Sequence, residues 1–250
     1  MVDPVIRVVE LRKRLDGAEV LKGVSFEVLP GEIFVIMGPS GTGKSVLLKN
    51  LIGLLRPDGG EIYIWNEPVH RMREDEFDRL RLRMGVVFQS TALFDSITVG
   101  ENIAFPMGRH RQMSRKMIRT AVMDLLALVG LEQAVDRMPA MLSGGMRKRV
   151  AIARALALDP DLIFYDEPTA GLDPPTSREV DALIAGLGRE LGVTSVVVTH
   201  DLATAFGIAD RLAVLAHGQV LAIGAPAQIR ADRRPEVQRF INPGGVEERP

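Results

Sequence analysis

The sequence predicts an α/β fold: short strands around a glycine-rich loop, a β-rich N-terminal part, and a helical subdomain inserted between strands. Three observations predict it. The loop Gly38-Pro39-Ser40-Gly41-Thr42-Gly43-Lys44-Ser45 lies between an apolar run of strand length and a run with helical apolar spacing. Two later apolar runs, Leu162-Ile163-Phe164-Tyr165 and Thr194-Ser195-Val196-Val197-Val198-Thr199, have the continuous character of buried strands. Between about residues 90 and 158 the texture turns from β-like to helical.

Taken in order, Val5-Ile6-Arg7-Val8-Val9-Glu10 and Val24-Ser25-Phe26-Glu27-Val28 read as strands, and Pro30-Gly31 turns the chain into Ile33-Phe34-Val35-Ile36-Met37. Val46-Leu47-Leu48-Lys49-Asn50-Leu51-Ile52 leaves the loop as a helix. Arg56-Pro57-Asp58-Gly59-Gly60 is a turn before a strand Ile62-Tyr63-Ile64-Trp65, whose aromatics are read as sheet packing. A charged helix over 74–83 leads to a strand Met84-Gly85-Val86-Val87-Phe88-Gln89. Ser114 caps a helix whose apolar face is Met117, Ile118, Ala121, Val122, Leu125 and Leu126, with Gly130 as its stop. A second helix enters at Leu142-Ser143-Gly144-Gly145, turning Val150, Ile152, Ala153, Ala155 and Leu156 inward and Arg147, Lys148, Arg149 and Arg154 mostly outward. Ala213-Val214-Leu215-Ala216 and Val220-Leu221-Ala222-Ile223 form a hairpin around His217-Gly218-Gln219.

The glycine-rich loop fits G-x-x-x-x-G-K-[ST], whose backbone N–H groups surround phosphates while the lysine reaches the terminal phosphates and the hydroxyl meets magnesium. The helix that follows aims its positive end at the anion. Glycine is expected at Gly38, Gly41 and Gly43, where a Cβ would obstruct the turn or the phosphate. This loop alone does not separate an ATPase from a GTPase or a small-molecule kinase. Two carboxylates, Asp166 and Glu167, end an apolar strand. In phosphoryl-transfer sites the first of such a pair helps hold magnesium and the second takes a proton from water. His200 follows another strand, at the carboxyl ends where sheets of this type gather ligands.

Composition bounds the class. The 250 residues are 46% apolar and 25% charged, ordinary for a globular chain and wrong for a disordered one. Lys plus Arg, 31, nearly equals Asp plus Glu, 32, so no global positive field favours nucleic acid. Cysteine is absent, which excludes disulfides and thiolate metal sites and suits a reducing cytosol. The first residues lack the pattern of a secretory signal, and no apolar run approaches the ~18 residues of a membrane helix. A role at a membrane would need another chain to span it.

Together, the loop at 38–45, Gln89, Leu142-Ser143-Gly144-Gly145-Met146, the acidic strand at 162–167, Ala170-Gly171-Leu172-Asp173 and His200 resemble the nucleotide-binding subunit of an ABC transporter. The L-S-G-G signature, followed some twenty residues later by a strand ending Asp-Glu-Pro-Thr, carries the resemblance, which covers nearly the whole chain. It implies a P-loop NTPase (RecA-like) core with an N-terminal antiparallel β subdomain and an inserted α-helical subdomain at about 90–158, all within an ATP-binding domain at 1–229, then a C-terminal tail at 230–250.

The resemblance also implies a head-to-tail homodimer with each ATP between the phosphate loop of one copy and Ser143, Gly144 and Gly145 of the other. Residues Gly38, Pro39, Ser40, Gly41, Thr42, Gly43, Lys44, Ser45 and Val46 would bind the nucleotide. Ser45, Gln89 and Asp166 would organise Mg²⁺, Glu167 would be the general base, His200 would contact the γ-phosphate, and Asp173 would communicate between sites. Gln89 would also begin the segment that touches integral-membrane permease subunits, and the resemblance allows for small accessory and substrate-binding subunits. The place implied is the cytoplasmic face of the inner membrane, with no nucleic-acid partner.

A finer resemblance, to the Mla/Mce-type ATPases that move phospholipid between envelope membranes, rests on three stretches. They are Phe88-Gln89-Ser90-Thr91-Ala92-Leu93-Phe94-Asp95, the signature through Arg149, and Pro235-Glu236-Val237-Gln238-Arg239-Phe240-Ile241. Importers of quaternary amines share a signature ending in methionine, so a small-solute importer is the alternative. A DNA- or ribosome-directed ABC ATPase would carry a coiled-coil insertion or tandem cassettes, and a metabolic kinase would not need 142–145. Two departures stand out: Leu15 where an aromatic residue usually stacks on adenine, and Met146 where glutamine is commonest. The apolar residues Val237, Phe240 and Ile241 of the tail are expected to reach the partner subunit.

Overall fold

The computed structural model describes residues 2–242. The described chain divides into two compact units, residues 2–77 with 194–242, and residues 78–193.

In the first unit, β1 (Ile6–Leu15) and β2 (Ala18–Val28) form one long antiparallel hairpin, paired from Ile6↔Val28 to Leu15↔Ala18. Both strands are longer than the sequence reading allowed. Asp16 (φ 48°) and Gly17 (φ 82°) close the hairpin, and a two-residue turn with both centres left-handed matches the twist of antiparallel strands. β3 (Ile33–Met37) is buried at every position and delivers the glycine-rich loop to α1 (Lys44–Leu51). β4 (Gly59–Ile64) pairs antiparallel with β1. It stops one residue earlier than expected because Trp65 (φ 49°) and Asn66 (φ 64°) turn the chain, with Glu67 N–H bonded back to the Ile64 carbonyl at 2.9 Å. Tyr63 packs as read, its ring centroid 4.4 Å from the Arg7 guanidinium.

α2 (Glu74–Arg81) runs on into the second unit. There β5 (Met84–Val87), ending two residues short of Gln89, leads to α3 (Val99–His110), α4 (Arg115–Leu128) and α5 (Gly144–Ala155). α3 opens with a reciprocal capping box between Thr98 and Glu101, and α4 with the Ser114 cap on Met117 N–H. The three helices enclose Val99, Ile103, Val122, Leu126, Val150 and Ala153. Met117 is 55% exposed and so drops out of the α4 core face; Val122 and Leu126 carry it. β6 (Leu162–Asp166), buried throughout, pairs parallel with β5. α6 (Pro174–Leu191) starts on the Asp173 cap and stops at Gly192 (φ 67°).

The chain re-enters the first unit with β7 (Thr194–Thr199), parallel to β3, then α7 (Leu202–Ile208), β8 (Arg211–Ala216) and β9 (Gln219–Gly224). β8 lies parallel on the other side of β3, and β9 returns antiparallel beside β8. Near-continuous apolar runs follow from burial on both faces of parallel strands. The tail holds α8 (Pro226–Ala231) and α9 (Pro235–Ile241), with α9 against β9 and α8. Val237 is fully buried and Ile241 is 8% exposed within this chain. Those two side chains are buried on their own chain, while Phe240 is half-buried and residues 243–250 lie outside the described part.

Candidate nucleotide site

The glycine-rich loop is shaped by contacts no side chain could replace. A Cβ on Gly38 would stand 2.1 Å from the Leu215 carbonyl oxygen of β8, and Gly41 (φ 80°) and Gly43 (φ 101°) are left-handed. Thr42 Oγ1 donates to the Pro39 carbonyl at 2.9 Å. The Lys44 ammonium, buried inside the loop, donates to the carbonyls of Gly38 at 2.8 Å and Pro39 at 3.0 Å. No side chain caps α1, and its first turn holds no carboxylate. The result is a cationic cradle on the positive end of a helix, which fits a polyphosphate. β3 and β7 are in parallel register, Met37 opposite Thr199, so His200 and the start of the loop leave the same edge side by side. His200 is exposed there, and Asp201 after it caps α7 through Ala203 N–H at 2.8 Å.

The second unit repeats this geometry with β5 and β6. Val87 lies opposite Tyr165, so Gln89 and Glu167, each two residues further on, emerge together at the carboxyl ends. Asp166 and Glu167 are each 8% exposed, and Glu167 is left-handed (φ 47°). Ser143 caps α5, its Oγ accepting Met146 N–H at 3.2 Å, and remains exposed. Gly144 and Gly145 pack on the start of α6: an added Cβ would lie 3.1 Å from Leu172 Cδ2 and 2.3 Å from Thr176 Cγ2 respectively. Asp173 bonds Thr176 through its hydroxyl at 2.6 Å and its N–H at 3.3 Å, and these bonds hold its carboxyl below the usual carboxylate range.

A family model described as ABC transporter matches residues 21–170. The chain belongs to the ABC transporter family. It is 41% identical, over 89% of its length and 83% of the relative's, to the intermembrane phospholipid transport system ATP-binding protein MlaF of Escherichia coli K12. It is also 39% identical, over 95% of its length and 65% of the relative's, to the methionine import ATP-binding protein MetN of Mesorhizobium japonicum. Among solved structures, the ATP-binding cassette MJ0796, a dimer in a post-hydrolysis state bound to ADP and phosphate, is similar with a TM-score of 0.81 and 34% identity. That match covers 88% of this chain and 98% of the other. The structure of cbiO1 from Clostridium perfringens gives a TM-score of 0.85 at 34% identity, covering 97% of this chain and 96% of that one.

The α/β class with a P-loop core, an antiparallel β part and a helical insert is thus the fold of ABC cassettes, and the chain is an ATP-binding, ATPase subunit of that family. Among the two departures from the ABC pattern, Leu15 is half-buried beside the Asp16-Gly17 turn, and Met146 packs on the helical core of the second unit. Met146 therefore contributes packing there.

Three functional supports escaped the sequence reading. Asn102, fully buried on α3, bonds Phe94 N–H and the carbonyls of Phe94, Ile97 and Thr98, fixing the segment after Gln89. Lys148 and Arg154 of α5 do not point outward: Lys148 is 4% exposed, and Arg154 is half-buried with its guanidinium on the carbonyls of Thr91 and Ala92. Lys148 falls three residues after Gly145 and four before Ile152, on one helix face with both, but that periodicity does not mark a cation there as buried.

Proposed function

We propose that this chain powers phospholipid transport between envelope membranes by hydrolysing ATP on behalf of a separate permease. The observation that carries this is the resemblance over most of the chain to MlaF, joined to a phosphate loop and an exposed signature serine on one polypeptide. In this reading the loop at 38–46 and the Lys44 ammonium bind the polyphosphate of ATP. Ser45, Gln89 and Asp166 would hold Mg²⁺, which would supply charge neutralisation on the phosphates and needs few protein groups. Glu167 takes the proton of the attacking water, and His200 orients the γ-phosphate.

Two copies would close head to tail, Ser143, Gly144 and Gly145 of one completing the site on the other. That the similar MJ0796 cassette is dimeric supports the pairing of two copies. Asp173, bonded to Thr176 beneath Gly145, would carry the state of one site toward the other. The permease would seat in a groove of the second unit lined by Phe88, Phe94, Phe105 and Pro106, where Phe94 is 44% and Phe105 53% exposed. No helix among the described residues is long and apolar enough to cross a membrane, so the permease would hold this subunit at the cytoplasmic face of the inner membrane.

The match to MetN supports the second reading, an importer of a small solute such as an amino acid or quaternary amine. The deciding experiment recovers the tagged chain with its membrane subunit and reconstitutes the complex in proteoliposomes. ATP turnover coupled to phospholipid transfer is expected. Turnover coupled to solute uptake, with no lipid movement, supports the importer.

A further inference from the structure

The signature helix α5 holds a buried cation in a place the signature itself does not demand. Lys148 lies just over one turn beyond Ser143, and its Nζ donates to the backbone carbonyl of Gln89 at 2.7 Å and to that of Glu167 at 3.1 Å. Burying an ammonium is costly unless its donors are met. Burial pushes this one below the usual lysine range, while the neighbouring Asp166 and Glu167 charges oppose that shift. Farther along the same helix, Arg154 donates to the Ala92 carbonyl at 2.7 Å and the Thr91 carbonyl at 2.9 Å.

The backbone these cations grip is strained. Glu167 (φ 47°), Thr91 (φ 63°) and Ala92 (φ 48°) are all non-glycine residues in the left-handed region. Such a conformation costs about 1–2 kcal/mol per residue and persists only where surroundings impose it. Carbonyls turned toward a fixed charge are such surroundings. One helix thus begins at the signature and holds, by its cations, both the segment that starts at Gln89 and the residue just past the acidic strand.

We propose that Lys148 is a positioning residue for ATP hydrolysis: its ammonium ties the backbones of Glu167 and Gln89 to the signature helix. Both side chains are then set together, and a displacement of α5 reaches both at once. The inference rests on the roles proposed above for Glu167 and Gln89.

The test uses the full chain as Lys148→Met, which keeps length without donors, and Lys148→Arg, which keeps donors and charge, beside Glu167→Gln. A misplaced base costs up to about 100-fold in rate. Lys148→Met should lose about 10- to 100-fold in kcat with KM for ATP unchanged, and Lys148→Arg should recover most of it. Hydrogen exchange should quicken in the methionine variant at the amides of Thr91 and Ala170, which bond to the Phe88 and Glu167 carbonyls. Parental kcat in Lys148→Met, with Glu167→Gln inactive, overturns the Lys148 inference alone. Loss of ATP binding together with kcat, unrescued by arginine, overturns it too by showing plain structural damage. Parental turnover in Glu167→Gln removes the assignment of the base and this inference with it.

Discussion

Gly145 lies so close to Thr176 that a Cβ on the glycine would stand 2.3 Å from the threonine methyl, while the threonine hydroxyl is held by Asp173 at 2.6 Å. The threonine cannot swing away without leaving its carboxylate. Signature and α6 cap are therefore one packed unit. Gly145→Ala should destabilise the chain by about 1–3 kcal/mol, the usual range for overpacking, and lower ATP turnover. Adding Thr176→Ser, which removes the methyl and keeps the hydroxyl, should restore most of the stability in denaturant melts. No recovery in the double variant would show that the methyl is not the obstacle.

Glu167→Gln should bind ATP normally and lose about 100-fold or more in turnover, because the amide keeps the shape and cannot accept a proton. Nucleotide should then accumulate in a closed dimer, visible as an ATP-dependent shift in gel filtration.

Mixed dimers of Lys44→Ala and Ser143→Arg chains test whether loop and signature act in trans. One composite site then keeps both groups intact while the other loses both. Turnover above either pure mutant is expected. Crosslinking across the bound ATP must accompany the assay, since equal inactivity would otherwise also follow from a need for two working sites.

The tail makes a stability prediction. Val237 is fully buried against its own chain, so Val237→Ala should cost roughly 2 kcal/mol and lower Tm by roughly 4–8 °C. Nucleotide affinity should not change. A variant that melts like the parent but fails to dimerise would return Val237 to the partner interface.

The junction of α8 and α9 makes a pH prediction. Side-chain and backbone hydrogen bonds from Arg234 hold the Asp232 carboxyl down to about 2, from an ordinary value of 3.8. Because the folded value is depressed, the pair's contribution is complete above the ordinary value and is lost as pH falls from about 4 to about 2. Salt should weaken it, as the pair is exposed. An NMR titration should place Asp232 near the lower value, and Arg234→Gln should return it toward 3.8.

Much of this protein is written locally. The loop at 38–45 needs only its own glycines, the strand before it and the helix after it, and the Ser114, Ser143 and Asp173 caps each act within three residues. The signature and the carboxylate pair are likewise contiguous, so the family could be read from the sequence. The Asp16-Gly17 turn was equally local, and the strands around it were underestimated because β1 and β2 are polar toward one face and broken by register shifts.

What only the tertiary structure decided concerns groups whose partners are distant in sequence. Lys148 looks like a solvated cation until the carbonyls of Gln89 and Glu167, 59 and 19 residues away, are brought to it. Val237 and Ile241 form an apolar face that says it must be buried but not where, and the answer depends on β9 and α8 folding beside it. Periodicity reports which side of a helix is apolar. It cannot report a buried charge, because the desolvation that would forbid one is offset only by acceptors that the fold assembles.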